Sequence, residues 1–205
     1  MADLTDRTLI SEEDIRSAAI GGTLRISEKA LVTPLAADLA RERHITLERA
    51  AVSAASVHRP SRKIAIGADH GGFEMKEALK SFLDEIGFPY QDFGTNSTAA
   101  VDYPDFAQAV ALAVARKTCD LGIMIDGAGI GSCMAANKVP GVRAAMCYDE
   151  SSARNSREHN GANVLTLGGK MISNEKMRDI VRIWLSTELT EERHRRRVAK
   201  IDALL

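Results

Sequence analysis

Residues 121–138 read Leu-Gly-Ile-Met-Ile-Asp-Gly-Ala-Gly-Ile-Gly-Ser-Cys-Met-Ala-Ala-Asn-Lys, and few folds accommodate that succession. Residues 121–125 form a short apolar run of the kind that fills a parallel sheet. Gly127, Gly129 and Gly131 then alternate, so the backbone can turn tightly and aim bare N–H groups at an anion. Asp126 stands at the carboxyl end of the strand, where open α/β sheets bind their ligands. If both groups only bound a ligand, the carboxylate would repel the anion held by the cradle. The pairing makes sense where the carboxylate takes a proton and the cradle stabilises the charge that results. The pattern points to an enzyme.

Strands and helices alternate on both sides of this run. Strands are expected over 63–68, 88–93, 121–125, 142–147 and 164–167. Helices are expected over 72–86, over 105–117, from the glycine turn to about 137, after Asp149 as N-cap, over 174–186, and from about 190. In the 72–86 helix Phe73, Leu79, Phe82, Leu83 and Ile86 share one face, and Gly87 ends it. Five strands joined by helices predict an α/β fold with a doubly wound sheet of five parallel strands and helices on both faces.

Residues 48–62 are small and polar without apolar periodicity, which suits a linker. They separate a segment over 1–47 from a domain over 63–205. In the first segment Ser11-Glu-Glu-Asp opens a short helix, Gly21-Gly22 breaks it, and residues 23–27 suit a strand. Thr33-Pro34 starts a second helix by the N-cap and proline rule, with Leu35, Ala36, Leu39 and Ala40 on one face. So few large apolar residues are not expected to support a separate core, so this piece is expected to dock on another surface.

Composition excludes several function classes. The 205 residues hold Lys+Arg 27 against Asp+Glu 28, which leaves no global field for nucleic acid, and 4% aromatic residues offer few stacking platforms. No apolar run approaches a membrane span, and the N-terminus lacks the charged-then-apolar layout of a secretion signal. Cys119, Cys133 and Cys147 are odd in number and lack a Cys-x-x-Cys pair. They read as reduced thiols of a cytoplasmic protein.

Candidate functional residues fall beside the expected strands. Asp69-His70-Gly71-Gly72 follows the first, Asp126 and the glycines follow the third, and His159-Asn160 precedes the fifth. Each alone has a plain reading as a helix cap, a tight turn or a surface histidine. Together they are expected to converge on one sheet edge as one site.

Ile-Gly-Ala-Asp-His-Gly-Gly-Phe (66–73), Asp-Phe-Gly-Thr (92–95), Val-Asp-Tyr-Pro-Asp (101–105), Gly-Ala-Gly-Ile-Gly (127–131), Ala-Ala-Asn-Lys-Val-Pro-Gly-Val-Arg (135–143), Arg-Glu-His-Asn (157–160) and Arg-His-Arg-Arg-Arg (193–197) follow one another in order. Over about residues 63–203 the chain resembles the ribose-5-phosphate isomerase B family, which includes the paired galactose-6-phosphate isomerase subunits. The resemblance implies a Rossmann-like sheet and a homodimer, or a tetramer, whose sites lie between subunits. It implies metal-free, cofactor-free aldose–ketose interconversion of a phosphosugar, such as ribose 5-phosphate to ribulose 5-phosphate. Carried over by position, Asp69, His70 and Tyr103 would hold the sugar. His159 matches the histidine associated with ring opening, and Asn160 accompanies it. The backbone from Gly127 through Gly129, Ile130 and Gly131 to Ser132 matches the anion hole for the enediolate. Lys170, Arg193, His194 and Arg197 match phosphate-binding positions, some reaching from the neighbouring subunit.

The chain departs from that family at the base. One branch has cysteine at the position of Asp126, another has glutamate at the position of Ser132, and this chain has neither. Cys133 lies one place beyond the glutamate position and points elsewhere on a helix. Ala128 replaces a hydroxyl residue, and Lys170 replaces a planar guanidinium by a point charge. Asp126 is the expected base, since a carboxylate moves the proton in triosephosphate isomerase, a worked example of such chemistry. The alternative is that Asp126 only hydrogen-bonds a hydroxyl, leaving a catalytically silent sugar-phosphate-binding or assembly subunit. A nucleotide-binding domain fits poorly, because the glycines follow the third strand rather than the first.

Residues 9–16 (Leu-Ile-Ser-Glu-Glu-Asp-Ile-Arg) and 31–40 (Leu-Val-Thr-Pro-Leu-Ala-Ala-Asp-Leu-Ala) resemble a leader module on enzymes of bacterial microcompartments. That resemblance implies shell or cargo proteins as partners. A family-specific dimerisation arm is the other reading.

Overall fold

The computed structural model describes residues 2–4, 9–28, 30–50 and 62–204. The chain forms two compact units, Met1–Arg59 and Pro60–Leu205.

The first unit holds β1 (Ala2–Leu4), β2 (Leu9–Ile10), α1 (Glu12–Ser17), β3 (Thr23–Ser27), β4 (Leu31–Val32), α2 (Pro34–Glu42) and β5 (Thr46–Ala50). A parallel sheet runs in the order β1-β3-β5, beside a parallel pair β2-β4. Both helices start as their sequences require. The Ser11 amide donates to Asp14 Oδ2 at 2.9 Å, and the Thr33 hydroxyl oxygen accepts from the Ala36 amide at 3.1 Å ahead of Pro34. Contrary to expectation, the unit has its own core of Ile10, Ile15, Leu24, Ile26, Ala30, Ala36, Ala40 and Ile45. The five-residue β3 gives Leu24 and Ile26 to this core and the two-residue β2 gives Ile10, while α1, α2 and the turns supply the rest, so no single element carries a readable apolar run. The helical stripe expected for docking largely serves this core: Ala36 and Ala40 are buried and Leu39 is half-buried, whereas Leu35 is exposed. The expected linker is also shorter, because residues 48–50 belong to β5; residues 51–61 lie outside the described residues.

The second unit alternates strand and helix throughout. It runs β6 (Ile64–Ala68), α3 (Phe73–Glu85), β7 (Tyr90–Asp92), α4 (Tyr103–Ala115), β8 (Leu121–Asp126), α5 (Ile130–Ala136), β9 (Ala144–Met146), α6 (Glu150–Glu158), β10 (Val164–Gly168), α7 (Asn174–Ser186) and α8 (Glu192–Asp202). Its five strands are all parallel in the order β7-β6-β8-β10-β9. Side-chain alternation feeds two cores. Ile64, Ile66, Ile123, Ile125, Leu165 and Leu167 meet α3, α6 and α7 on one face, around the fully buried Trp184. Ala65, Met124 and Val164 meet α4 and α5 on the other. This is the expected doubly wound sheet.

Several boundaries move by one or two residues, among them β7, which covers Tyr90–Asp92 rather than 88–93, and two of the shifts have a local cause. Helix α4 starts at Tyr103, two residues early, because Pro104 is accommodated in the first turn behind Asp102. Strand β9 starts only at Ala144, because the Arg143 amide donates to Asn163 Oδ1 at 2.7 Å. At this sheet edge the Asn137 amide substitutes for a further strand. Its Oδ1 accepts from the Ala144 amide at 2.8 Å, and its Nδ2 donates to the Ala144 carbonyl at 2.9 Å.

Two consequences of the topology position the site. The pairing of Ala68 with Ile125 sets Asp69 and Asp126 at neighbouring carboxyl ends, where the chain reverses its winding. Helix α6 instead runs back toward the amino end of β10, so its C-cap His159 lies beyond Val164.

Candidate active site

The glycine loop after β8 is organised by Asp126 itself. The carboxylate is 5% exposed, and each of its oxygens accepts two hydrogen bonds. Oδ1 takes the amides of Ala128, at 2.8 Å, and of Gly129; Oδ2 takes the Ser132 amide, at 2.9 Å, and the Ser132 hydroxyl. Hydroxyls behind the loop fix its carbonyls. Tyr148 donates to the Ala128 carbonyl at 2.6 Å, and Thr166 donates to the Gly129 carbonyl at 2.8 Å. With these groups spent, the amides of Gly127, Ile130 and Gly131 make no hydrogen bond among the described residues. The expected anion hole therefore narrows to three donors, since Asp126 occupies the other amides.

Glycine is required at two loop positions. Gly129 has φ +79°, and a Cβ there would meet the Leu167 carbonyl carbon at 2.9 Å. A Cβ at Gly131 would come within 2.5 Å of the Tyr103 ring, so a bare backbone lets that ring lie against the loop. Tyr148 and Thr166 escaped the sequence reading. Tyr148 lies just beyond a strand end, which was the available signal.

Asp69 stands beside this loop. Its Oδ1 accepts the amides of Gly71 and Gly72 at 2.8 and 3.0 Å, while Oδ2 takes no hydrogen bond among the described residues. His70 Nδ1 lies 3.9 Å from that Oδ2 and 3.2 Å from the Val101 carbonyl. The Lys170 amide donates to the Gly127 carbonyl at 3.1 Å, so its exposed side chain leaves from the same end of the sheet. Cys133 directs its sulfur to the Ala144 carbonyl at 3.4 Å, toward β9. Burial pushes the Cys119 and Cys147 thiols above their ordinary value, which keeps them protonated and unreactive.

The other expected residues gather elsewhere. His159, Asn160, Arg193, His194 and Arg197 lie at the amino end of the sheet. Val164 and Gly168, the register partner of Asp126, are about 13 Å apart at about 3.3 Å per residue. The expected convergence on a single edge therefore does not occur within one chain. The His159 and His194 rings stack with centroids 4.4 Å apart. His194 is 5% exposed on the inner face of α8, which corrects the expectation that it reaches a phosphate as the arginines do. Desolvation holds its imidazole below the ordinary value, with His159 and the Arg193 charge adding to the effect. Arg193 and Arg197 are exposed one helical turn apart. Arg157 anchors this end: its buried guanidinium donates to the Ala162 carbonyl at 2.6 Å and to the Thr187 carbonyl at 3.2 Å, and lies 5.0 Å from the Trp184 ring centroid.

Two carboxylates beside unspent amides suit a reaction in which a proton leaves carbon while a neighbouring oxygen becomes an anion. Fold and site together define an α/β isomerase. The ribose/galactose isomerase family model matches residues 64–201, and the chain belongs to that family. Ribose-5-phosphate isomerase B of Escherichia coli is 43% identical over 143 residues, covering 70% of this chain and 96% of the relative. D-erythrulose-4-phosphate isomerase of Pectobacterium atrosepticum is 38% identical over 126 residues, covering 61% of this chain and 83% of the relative. Among solved structures, ribose-5-phosphate isomerase B of Clostridium thermocellum superposes with a TM-score of 0.68 at 48% identity, covering 69% of this chain and 96% of that one. No helix among the described residues is long and apolar enough to cross a membrane.

Proposed function

We propose that the protein interconverts ribose 5-phosphate and ribulose 5-phosphate through an enediolate, in sites completed by a second copy of the chain. One observation carries this reading: the carboxylates with their free amides and the histidine with its arginines stand at opposite ends of one sheet. A two-fold dimer can bring the first half of one protomer against the second half of its partner. Exposed Ile130, Met134 and Met171 beside the glycine loop are an apolar surface suited to such a contact. Arg193 and Arg197 then supply phosphate ligands, and the amides of Gly127, Ile130 and Gly131 face the enediolate oxygen.

In this reading Asp126 moves the proton between the two carbons, once the Ser132 hydroxyl rotates away and frees a lone pair on Oδ2. The four donors on Asp126 favour a second assignment, in which Asp126 only shapes the loop and the open Oδ2 of Asp69 takes the proton. A ketose-formation assay over phosphorylated aldoses tests the function, with ribose 5-phosphate expected to exceed the four-carbon and six-carbon substrates. Asp126→Asn should lower kcat by about two orders of magnitude or more with little change in KM. If Asp69→Asn abolishes turnover while Asp126→Asn mainly raises KM and keeps a substantial share of kcat, as loop disruption would, the base is Asp69. If no aldose phosphate is converted, the silent binding subunit is the correct reading.

The first unit is proposed to direct location or assembly, with the shell or cargo of a bacterial microcompartment as partner. Support comes from its self-contained core and from exposed Ile20, Leu31 and Leu35, which that core leaves over.

A further inference from the structure

We infer that Asn155 is a positioning residue that fixes the tautomer of His159, so that the ring presents Nε2–H to a sugar oxygen as a hydrogen-bond donor; this rests on the isomerase reading above. The assignment starts from a group whose role is not in question, the Asn155 backbone carbonyl, which can only accept. Asn160 lies 3.4 Å from it, so the Asn160 atom there is the donor Nδ2. The same Nδ2 reaches the Asn155 side chain at 3.4 Å, and the Asn155 atom facing it is therefore the acceptor Oδ1. That choice turns Asn155 Nδ2 toward His159, 2.9 Å from Nδ1. A primary amide nitrogen only donates, so Nδ1 accepts and the ring proton of the neutral imidazole sits on Nε2.

The surroundings of the ring agree with this orientation. Helix α6 places Asn155 and His159 four residues apart on one face, in line for the contact. The His194 ring from α8 covers one face of His159, and the charges of Arg193, Glu191 and Arg197 act on that His194 ring. Asn155 and Asn160 both line an open polar recess with Asp149, Ser152 and Ser156, so the two amides of the relay are open to solvent. A donor at Nε2 can polarise a sugar oxygen without itself giving up a proton. The neutral histidine of triosephosphate isomerase does this at its substrate's carbonyl.

Nitrogen-15 NMR of the imidazole rings in the intact protein tests the inference at about pH 8, above the ordinary imidazole value. The wild type should show His159 with Nε2 protonated and Nδ1 bare. Asn155→Ala should give a mixture of tautomers. Asn155→Asp, whose carboxylate only accepts, should move the proton to Nδ1 and lower kcat for ribose 5-phosphate at least tenfold. A wild-type ring protonated at Nδ1, or a spectrum unchanged in Asn155→Asp, overturns the assignment. If the spectra behave as expected but the wild type converts no aldose phosphate, the relay stands and the isomerase reading fails.

Discussion

His194 shows how one side chain couples the site to stability. Its folded imidazole titrates below the ordinary value of 6.5 because the ring is desolvated and stacked on His159. In the unfolded chain the same ring takes up a proton near that ordinary value. As pH falls from about 6.5 toward the depressed folded value, the unfolded state binds a proton that the folded state refuses. This contribution to stability is therefore present above 6.5 and is lost on acidification. His194→Phe keeps a ring against His159 and removes the titration. Thermal melts of this variant should lose less stability than the wild type between pH 7.5 and 5.5; equal losses would place the acid sensitivity elsewhere. At this scale the sequence was legible wherever a residue's role is set by its neighbours in the chain. Asp126 with its glycines and Thr33 with Pro34 are such cases. It was not legible for His194, whose burial depends on α8 packing against the turn after α6, or for Tyr148 and Thr166, which reach the glycine loop from just beyond β9 and from β10.

Long, strongly periodic elements were the readable ones. Helix α7 falls over the expected residues, because Met177, Ile180, Val181, Trp184 and Leu185 repeat at helical spacing and Ser173 caps the start. The short strands β1, β2 and β4 carry no such repeat, and pairing alone makes them strands. Helix α7 also bears most directly on the histidine end of the molecule. Trp184 is fully buried and supports Arg157, which in turn holds the turn after His159. Trp184→Ala should cost about 3–5 kcal/mol in chemical denaturation and loosen that turn. Trp184→Phe keeps most of the apolar contact and leaves no buried indole nitrogen without a partner; it should cost far less. Similar losses from both would mean that the indole contributes more than packing.

For the whole molecule, the separation of the two half-sites makes a test by mixing informative. An Asp126→Asn protomer retains its arginines, and an Arg193→Ala, Arg197→Ala protomer retains its carboxylates. After subunit exchange about half of the dimers pair the two types. Each of these hybrids holds one intact site and one site with both defects. Mixed samples should therefore recover about a quarter of wild-type activity. No recovery after demonstrated exchange would mean that each chain builds its own site. Removal of residues 1–60 should leave kcat and KM nearly unchanged, because the second unit keeps both of its cores and every site residue. Fusion of residues 1–50, which keeps β5 whole, to a reporter should carry it into shells in a host that makes them. If the deletion abolishes activity and the fusion stays dispersed, the first unit is part of the enzyme's own architecture.

The strand order also sets a timetable for synthesis. Among the described residues β10 is the last strand to leave the ribosome, yet it lies between β8 and β9 and is the sole sheet neighbour of β9. Until residues 164–168 emerge, β8 has an open hydrogen-bonding edge and β9 has nothing to pair with. The nascent chain therefore carries an open edge on β8 from residue 126 until residue 164, joined by the unpaired β9 after residue 146, while the first unit can already close around its own core. Chains interrupted before Val164 should aggregate through those edges, and slower elongation upstream of β10 would lengthen the exposure.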